Sequence, residues 1–119
     1  MERVAINTMP EIDRLEQERQ ETLVEIERLR IDLRNLAEPT ADDADLDAYE
    51  REKTWAMVQT AQRRLEAIER ALEMARNGSY GVCQTCGERI DRARLEILPT
   101  ATLCLRCQKE YERKNKRRR

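Results

Sequence analysis

Four cysteines supply the only thiolates available to a metal in the chain, which contains no histidine. They come as two pairs, Cys83-Gln84-Thr85-Cys86 and Cys104-Leu105-Arg106-Cys107, with residues 87–103 between them. Two thiolates separated by two residues can turn onto a single ion, and a second such pair completes a tetrahedral sphere. Cys83, Cys86, Cys104 and Cys107 are therefore the candidate ligands of one Zn2+ per chain. With all four positions filled by protein, no coordination site is left for water, so the chemistry is structural rather than hydrolytic. Iron in a four-thiolate site and a pair of disulfides are the competing readings. The first residues, MERVAINTMPEIDRLEQ, carry no apolar stretch of the kind that directs secretion. A reducing cytoplasm is the expected location, and it disfavours disulfides.

Other chemistry is poorly served. Without histidine the usual general base is missing. There is no glycine-rich phosphate loop and no nucleophile beside a recognisable base, so the chain is not expected to be an enzyme. No segment approaches the ~20 apolar residues of a membrane span.

Something must position the cysteines, and composition limits what it is. Charged residues make up 39% of the chain and aromatic residues 3%, with no phenylalanine. That is too little bulky apolar material for a large globular core, and it suits solvated helices sharing a narrow seam. Thr8-Met9-Pro10-Glu11 reads as a helix start, with Thr8 as cap and Glu11 completing a capping box. A 3–4 spacing then runs through Ile12, Leu15, Arg19, Thr22, Ile26, Leu29, Leu33 and Leu36. The helix should stop before Pro39. At 1.5 Å per residue it would be ~45 Å long. A polar break follows, in which Thr40 or Asp42 can cap a second helix running to about Arg76. Its seam is Val58, Ala61, Leu65, Ile68, Leu72 and Ala75, with Trp55 at the upstream edge, and Asn77-Gly78 is its stop. Two such helices with a short connection fold back as an antiparallel coiled-coil hairpin. A parallel homodimer is the alternative; the break at the midpoint favours the hairpin and a monomer.

The expected organisation is thus mainly α: an N-terminal segment at 1–7, a hairpin over 8–77 with its bend near 39–48, a zinc module over 78–112 and a basic tail at 113–119. Within the module, Gly81 and Gly87 flank the first cysteine pair as turn residues. Residues 90–99 read as a turn and hairpin arm, and a last helix starts at Thr100 or Thr102. Zinc would supply about 10–16 kcal/mol toward folding a module too small to fold unaided.

Charge is segregated. Glu38 to Glu52 holds seven acidic side chains against one basic, and Lys109 to Arg119 holds seven basic against two acidic. The acidic bend, with Asp42, Asp43, Asp45 and Asp47, reads either as a well-capped, solubilised turn or as a probe that meets a metal ion or basic groups in a partner. The tail, with Arg113, Lys114, Lys116, Arg117, Arg118 and Arg119, reads either as a dipole-favoured helix end or as a contact for nucleic acid or an acidic protein surface. Base stacking is not expected, because no aromatic residue is interleaved beyond Tyr111.

The stretch YGVCQTCGERIDRARLEILPTATLCLRCQKEYE resembles the DksA/TraR zinc-finger family. The motif positions are Tyr80-Gly81, Cys83, Cys86-Gly87, Ile90, Arg94-Leu95, Pro99, Cys104, Cys107-Gln108 and Glu112. The resemblance implies a bacterial transcription factor that binds RNA polymerase directly, with its coiled-coil tip entering the secondary channel toward the catalytic magnesium. It also implies that no promoter sequence is read by the factor itself, and that several members act with guanosine tetraphosphate. The tip departs from the D-x-x-D-x-A pattern of well-characterised members. Asp42 and Asp45 supply the two acids in one register, but Asp47 stands at the alanine position. Counting back from Cys83 instead makes Asp43 the second acid and places Thr40 at the first. Two further readings remain from other classes: a zinc protein that binds nucleic acid through the basic tail, and an adaptor whose helices bind another coiled coil.

Overall fold

The computed structural model describes residues 9–36 and 44–117. Four helices follow in order: α1 (Pro10–Asn35), α2 (Ala44–Arg76), α3 (Arg92–Ile97) and α4 (Leu105–Arg117). The chain forms two compact units. One comprises Gln17–Ala67, and the other comprises Met1–Glu16 with Ile68–Arg119.

In the Gln17–Ala67 unit, α1 and α2 pair antiparallel. Arg64 faces Glu18 at 4.0 Å, while Arg51 donates from Nη2 to the carbonyl oxygen of Leu36 at 2.9 Å. Thr22, Ile26 and Leu29 of α1 are buried with Thr54, Val58 and Ala61 of α2. The α1 seam is the expected 3–4 series: Arg19 and Leu33 are half-buried between the fully buried positions. Thr22 is accommodated because its hydroxyl donates to the Glu18 carbonyl at 2.7 Å, one turn back, so the buried oxygen is not left unpaired. At the upstream edge of the α2 seam the buried residue is Thr54, and the neighbouring Trp55 is 54% exposed. Thr54 lies one turn before Val58 and takes the buried position, while Trp55 lies at the edge of that face. Arg51 caps the end of α1 through Leu36, and its Nε is buried with no acceptor among the described residues.

In the other unit, the first turns of α1 and the last turns of α2 carry one apolar cluster. Ile12, Leu15, Ile68, Ala71, Leu72 and Ala75 pack with Tyr80, Cys83, Ile90, Leu95 and Ala101. Leu15 and Ile68 are wholly buried. The zinc module therefore has apolar cover from two helices besides any bound metal. Thr8 lies outside the described residues, and Glu11 is buried and paired with Arg92 at 3.3 Å. A carboxylate in a first helical turn is favoured by the helix dipole, and here a guanidinium from α3 adds to it.

Helix α2 ends as expected at Asn77-Gly78. Gly78 has φ 82°, Ser79 N–H donates to Met74 O at 2.8 Å and Gly78 N–H to Ala75 O at 3.4 Å. This left-handed residue with its paired return bonds uses up the last carbonyls of the helix. Two expectations for the module need correction. Residues 92–97 form α3 rather than a hairpin arm: Asp91 accepts from Ala93 N–H at its side chain and from Arg94 N–H at its carbonyl. An N-cap with both acceptors in use starts a helix even over a short span. The last helix starts at Leu105, later than Thr100 or Thr102, because Cys104 occupies the position before its first turn. No helix among the described residues is long and apolar enough to cross a membrane.

Candidate metal centre

The first cysteine pair sits on a knuckle built by backbone hydrogen bonds. Gly87 N–H returns to Cys83 O at 3.0 Å, and Cys83 N–H donates to Glu88 O at 2.8 Å. The turn is pinned at its base by the antiparallel bridge of Val82 with Arg89 and by Ile90 N–H on Gly81 O at 2.8 Å. Gly81 and Gly87 take left-handed backbone, with φ 83° and 75°. At Gly81 a Cβ would also lie 3.4 Å from Leu95 Cδ1, so the packing of α3 restricts that position as well.

The second pair is set by the start of α4. Cys104 precedes the helix and its carbonyl accepts from Gln108 N–H at 2.9 Å, while its sulfur accepts from Cys107 N–H at 3.5 Å. Cys107 follows on the first turn. The two halves are tied together by Gln84 N–H on Thr102 O at 2.9 Å and by Arg94 Nε on Leu103 O at 3.2 Å. Tyr80, buried beneath, donates its hydroxyl to Pro99 O at 2.8 Å. These last three ties join residues whose roles the spacing of the cysteines does not reveal. Pro99 and Tyr80 stand in the family motif, but a motif records positions and not partners.

The four Sγ atoms converge, all lying within 4.8 Å of one another. Cys86 Sγ and Cys104 Sγ are 3.8 Å apart. A disulfide needs about 2.05 Å, so the thiols are not cross-linked. With Zn–S bonds near 2.3 Å, the edge of a regular tetrahedron is about 3.8 Å, which matches the Cys86–Cys104 separation. The donor set and its span fit one zinc ion.

The electrostatics point the same way. Burial pushes the Cys83 thiol up, but backbone N–H groups of Cys86, Cys104 and Thr85 aimed at the sulfur outweigh it and bring it down to about 6. The Cys107 N–H holds the Cys104 thiol below its ordinary value, as expected for sulfur at a helix N-terminus. Cys107 is pushed up to about 12, chiefly by its hydrogen bond with the Cys104 sulfur. So the site readily makes thiolates but resists loading itself fully with negative charge. A dication removes that resistance. Arg106 lies beside the centre, and its hydrogen bond with the Cys86 sulfur holds the guanidinium above its usual value.

Among the described residues, no other sequence-predicted site residue joins this cluster. Asp42 and Asp43 lie outside the described residues. Asp45 stands on the first turn of α2, and Asp47 is half-buried on the same helix. Arg113, Lys114, Lys116 and Arg117 are exposed on α4, where Arg113 pairs with Glu110. Arg118 and Arg119 lie outside the described residues.

Comparison with known proteins follows the same lines. Residues 78–113 match the prokaryotic dksA/traR C4-type zinc finger. The RNA polymerase-binding transcription factor DksA of Caulobacter vibrioides is 37% identical over 86 residues, covering 71% of this chain and 61% of that protein. The Bacillus subtilis protein YteA is 43% identical over 60 residues, or 50% of this chain and 25% of its own length. The chain thus spans less than two thirds of these relatives. Against the structure of transcription factor DksA2 from Pseudomonas aeruginosa the match is nearly end to end: 98% of this chain and 99% of that one, at 28% identity and a TM-score of 0.82. On the zinc knuckle, the helical pair and this end-to-end likeness, the chain belongs to the DksA/TraR family of C4 zinc-finger proteins.

Proposed function

We propose that this protein is a transcription regulator that binds bacterial RNA polymerase directly and acts by occupancy rather than by catalysis. The observation that carries this reading is the combination of a four-thiol cluster with an antiparallel helical pair, matched end to end by transcription factor DksA2 at a TM-score of 0.82. Relatives of the same family carry RNA polymerase binding in their names.

Each part has a task in this reading. Cys83, Cys86, Cys104 and Cys107 hold one zinc ion, which fixes the knuckle and the start of α4. The module docks on the polymerase surface and orients the helices. The acidic bend is the effector end, entering the secondary channel with Asp42, Asp43, Asp45 and Asp47. Carboxylates suit that task because they can approach a bound metal ion or basic side chains without folding of their own. The protein works in the cytoplasm, as a monomer, where polymerase is found.

The test is a triple substitution, Asp42→Ala/Asp43→Ala/Asp45→Ala, assayed in transcription by the host polymerase. The expected outcome is loss of the regulatory effect with polymerase binding retained. An unchanged effect, with binding intact, would remove the bend from the mechanism.

A further inference from the structure

No residue of α4 is buried, and from Lys109 to Arg117 every side chain is exposed. A helix of 13 residues with no covered face gains nothing from burial and is marginal by itself. Its charges are ordered around the axis. At about 100° per residue, Arg106, Lys109, Arg113, Lys116 and Arg117 fall within about 100° of arc. They form a 3–4 series of guanidinium and ammonium groups, while Tyr111 and Asn115 lie on the opposite face. Like charges at these spacings repel and weaken the helix that carries them. The helix dipole accounts for Lys114, Lys116 and Arg117 in the last turn, but not for Lys109 in the N-terminal half. Two members of the series have local partners: Arg106 bonds the Cys86 sulfur, and Arg113 pairs with Glu110 at the edge of the stripe. From Lys109 to Arg117 the stripe runs about 12 Å along the axis.

A row of positive charge on a bare helix face fits a partner that presents a row of negative charge. A lipid surface also asks for an apolar face opposite the basic one, and here that face carries Tyr111 and Asn115. A single nucleic-acid strand asks for stacking surfaces within the basic groove, and Tyr111, the one aromatic residue of α4, stands away from the stripe. Duplex DNA asks for neither. Its phosphates stand in fixed rows, and its major groove, about 12 Å wide, admits a helix. The whole chain has a net charge of −1, so attraction to a polyanion arises from the local stripe and not from the molecule at large. We infer that α4 is a contact surface for the phosphate backbone of duplex DNA, through Lys109, Arg113, Lys116 and Arg117. The contact is independent of base sequence, since the stripe is cationic and carries no amide side chain to read a base edge. It goes beyond the proposed function and does not depend on polymerase binding.

The experiment titrates the full zinc-loaded chain, with no polymerase present, into fluorescent duplexes of two unrelated sequences and follows anisotropy between about 50 and 200 mM salt. Wild type should bind both alike, with affinity falling on a log–log slope of about 3 to 4, as four phosphate contacts require. Lys116→Gln/Arg117→Gln should lower that slope by about 2 and weaken binding at about 50 mM salt by at least about tenfold. Arg28→Gln/Arg30→Gln removes the same charge from exposed positions on α1 and should leave the slope unchanged. Zinc content and thermal melting are the folding controls, and the wild-type slope needs no variant. Absence of duplex binding at about 50 mM salt overturns the inference. So does an equal loss in the α1 and α4 variants, or no loss in the α4 variant. Tighter binding to a single strand of the same length also overturns it, as does binding to phosphatidylserine vesicles without binding to the duplex. Each of these outcomes leaves the proposed function standing, because polymerase binding is measured separately.

Discussion

Among single residues, the sulfur atoms decide the most. With Cys107 pushed up to about 12 and Cys83 brought down to about 6, the metal-free centre at neutral pH keeps a proton on Cys107 while Cys83 is largely thiolate. Zinc binding must expel that proton, so apparent affinity should rise at least about tenfold per pH unit above pH 6. Below about pH 6 Cys83 also holds a proton, and the dependence should steepen. Competition with a chromophoric chelator across this range reads both slopes; a flat profile would contradict the assignment of the four thiols as ligands. Tyr80 gives a second prediction. Burial, reinforced by the nearby Glu11 carboxylate, raises its phenol from 10.0 to about 12. A group whose folded value is raised stabilises the fold fully below the unfolded value and loses that contribution as pH climbs. Stability from Tyr80 should therefore be complete below pH 10 and fade toward pH 12. Tyr80→Phe should cost about 1 kcal/mol, by leaving the Pro99 carbonyl without its donor. Chemical denaturation at neutral pH measures the loss. In the variant, stability should also fall less between pH 10 and 12 than in wild type.

At the level of elements, the turns are as constrained as the helices. Gly78 ends α2 with φ 82° and open space where a Cβ would stand, so Gly78→Ala should cost only the backbone term, about 1 kcal/mol. Gly81→Ala carries the same backbone cost and brings a Cβ to 3.4 Å from Leu95 Cδ1. It should therefore lower the melting temperature more than Gly78→Ala; equal shifts would show that α3 gives way at no cost. The helices themselves were legible from the chain because a 3–4 repeat has one consistent reading: Ile12, Leu15, Thr22, Ile26 and Leu29 are buried in register. So was the convergence of the cysteines, since pair spacing alone limits how thiols can meet. Helix α3 was not. Asp91 as cap and Pro99 beyond the end were both present, but six residues show too little periodicity to outweigh a turn. The late start of α4 was hidden for a different reason. Cys104 is a ligand and a helix-start residue at once, and threonine is the commoner cap. The Thr54–Trp55 pair shows the limit of edge positions, where one residue of shift exchanges a core side chain for a surface one.

For the whole molecule, a metal-built module is joined to a helical pair whose connecting segment is acidic in sequence. In the proposed function no chemistry of bond making is assigned to it, and its effect would follow from where it binds. The nearly full-length match to DksA2 sets the scale of the likeness, whereas the match to the Caulobacter vibrioides factor covers 61% of that protein. Polymerase binding is the claim on which the rest depends, and the equilibrium affinity of the zinc-loaded chain for the core polymerase of its host tests it most directly. The expected result is sub-micromolar binding, a Kd below about 1 μM, that is lost when zinc is removed by chelation. No binding even at low salt would contradict the claim, and would leave the likeness to the family as one of fold alone.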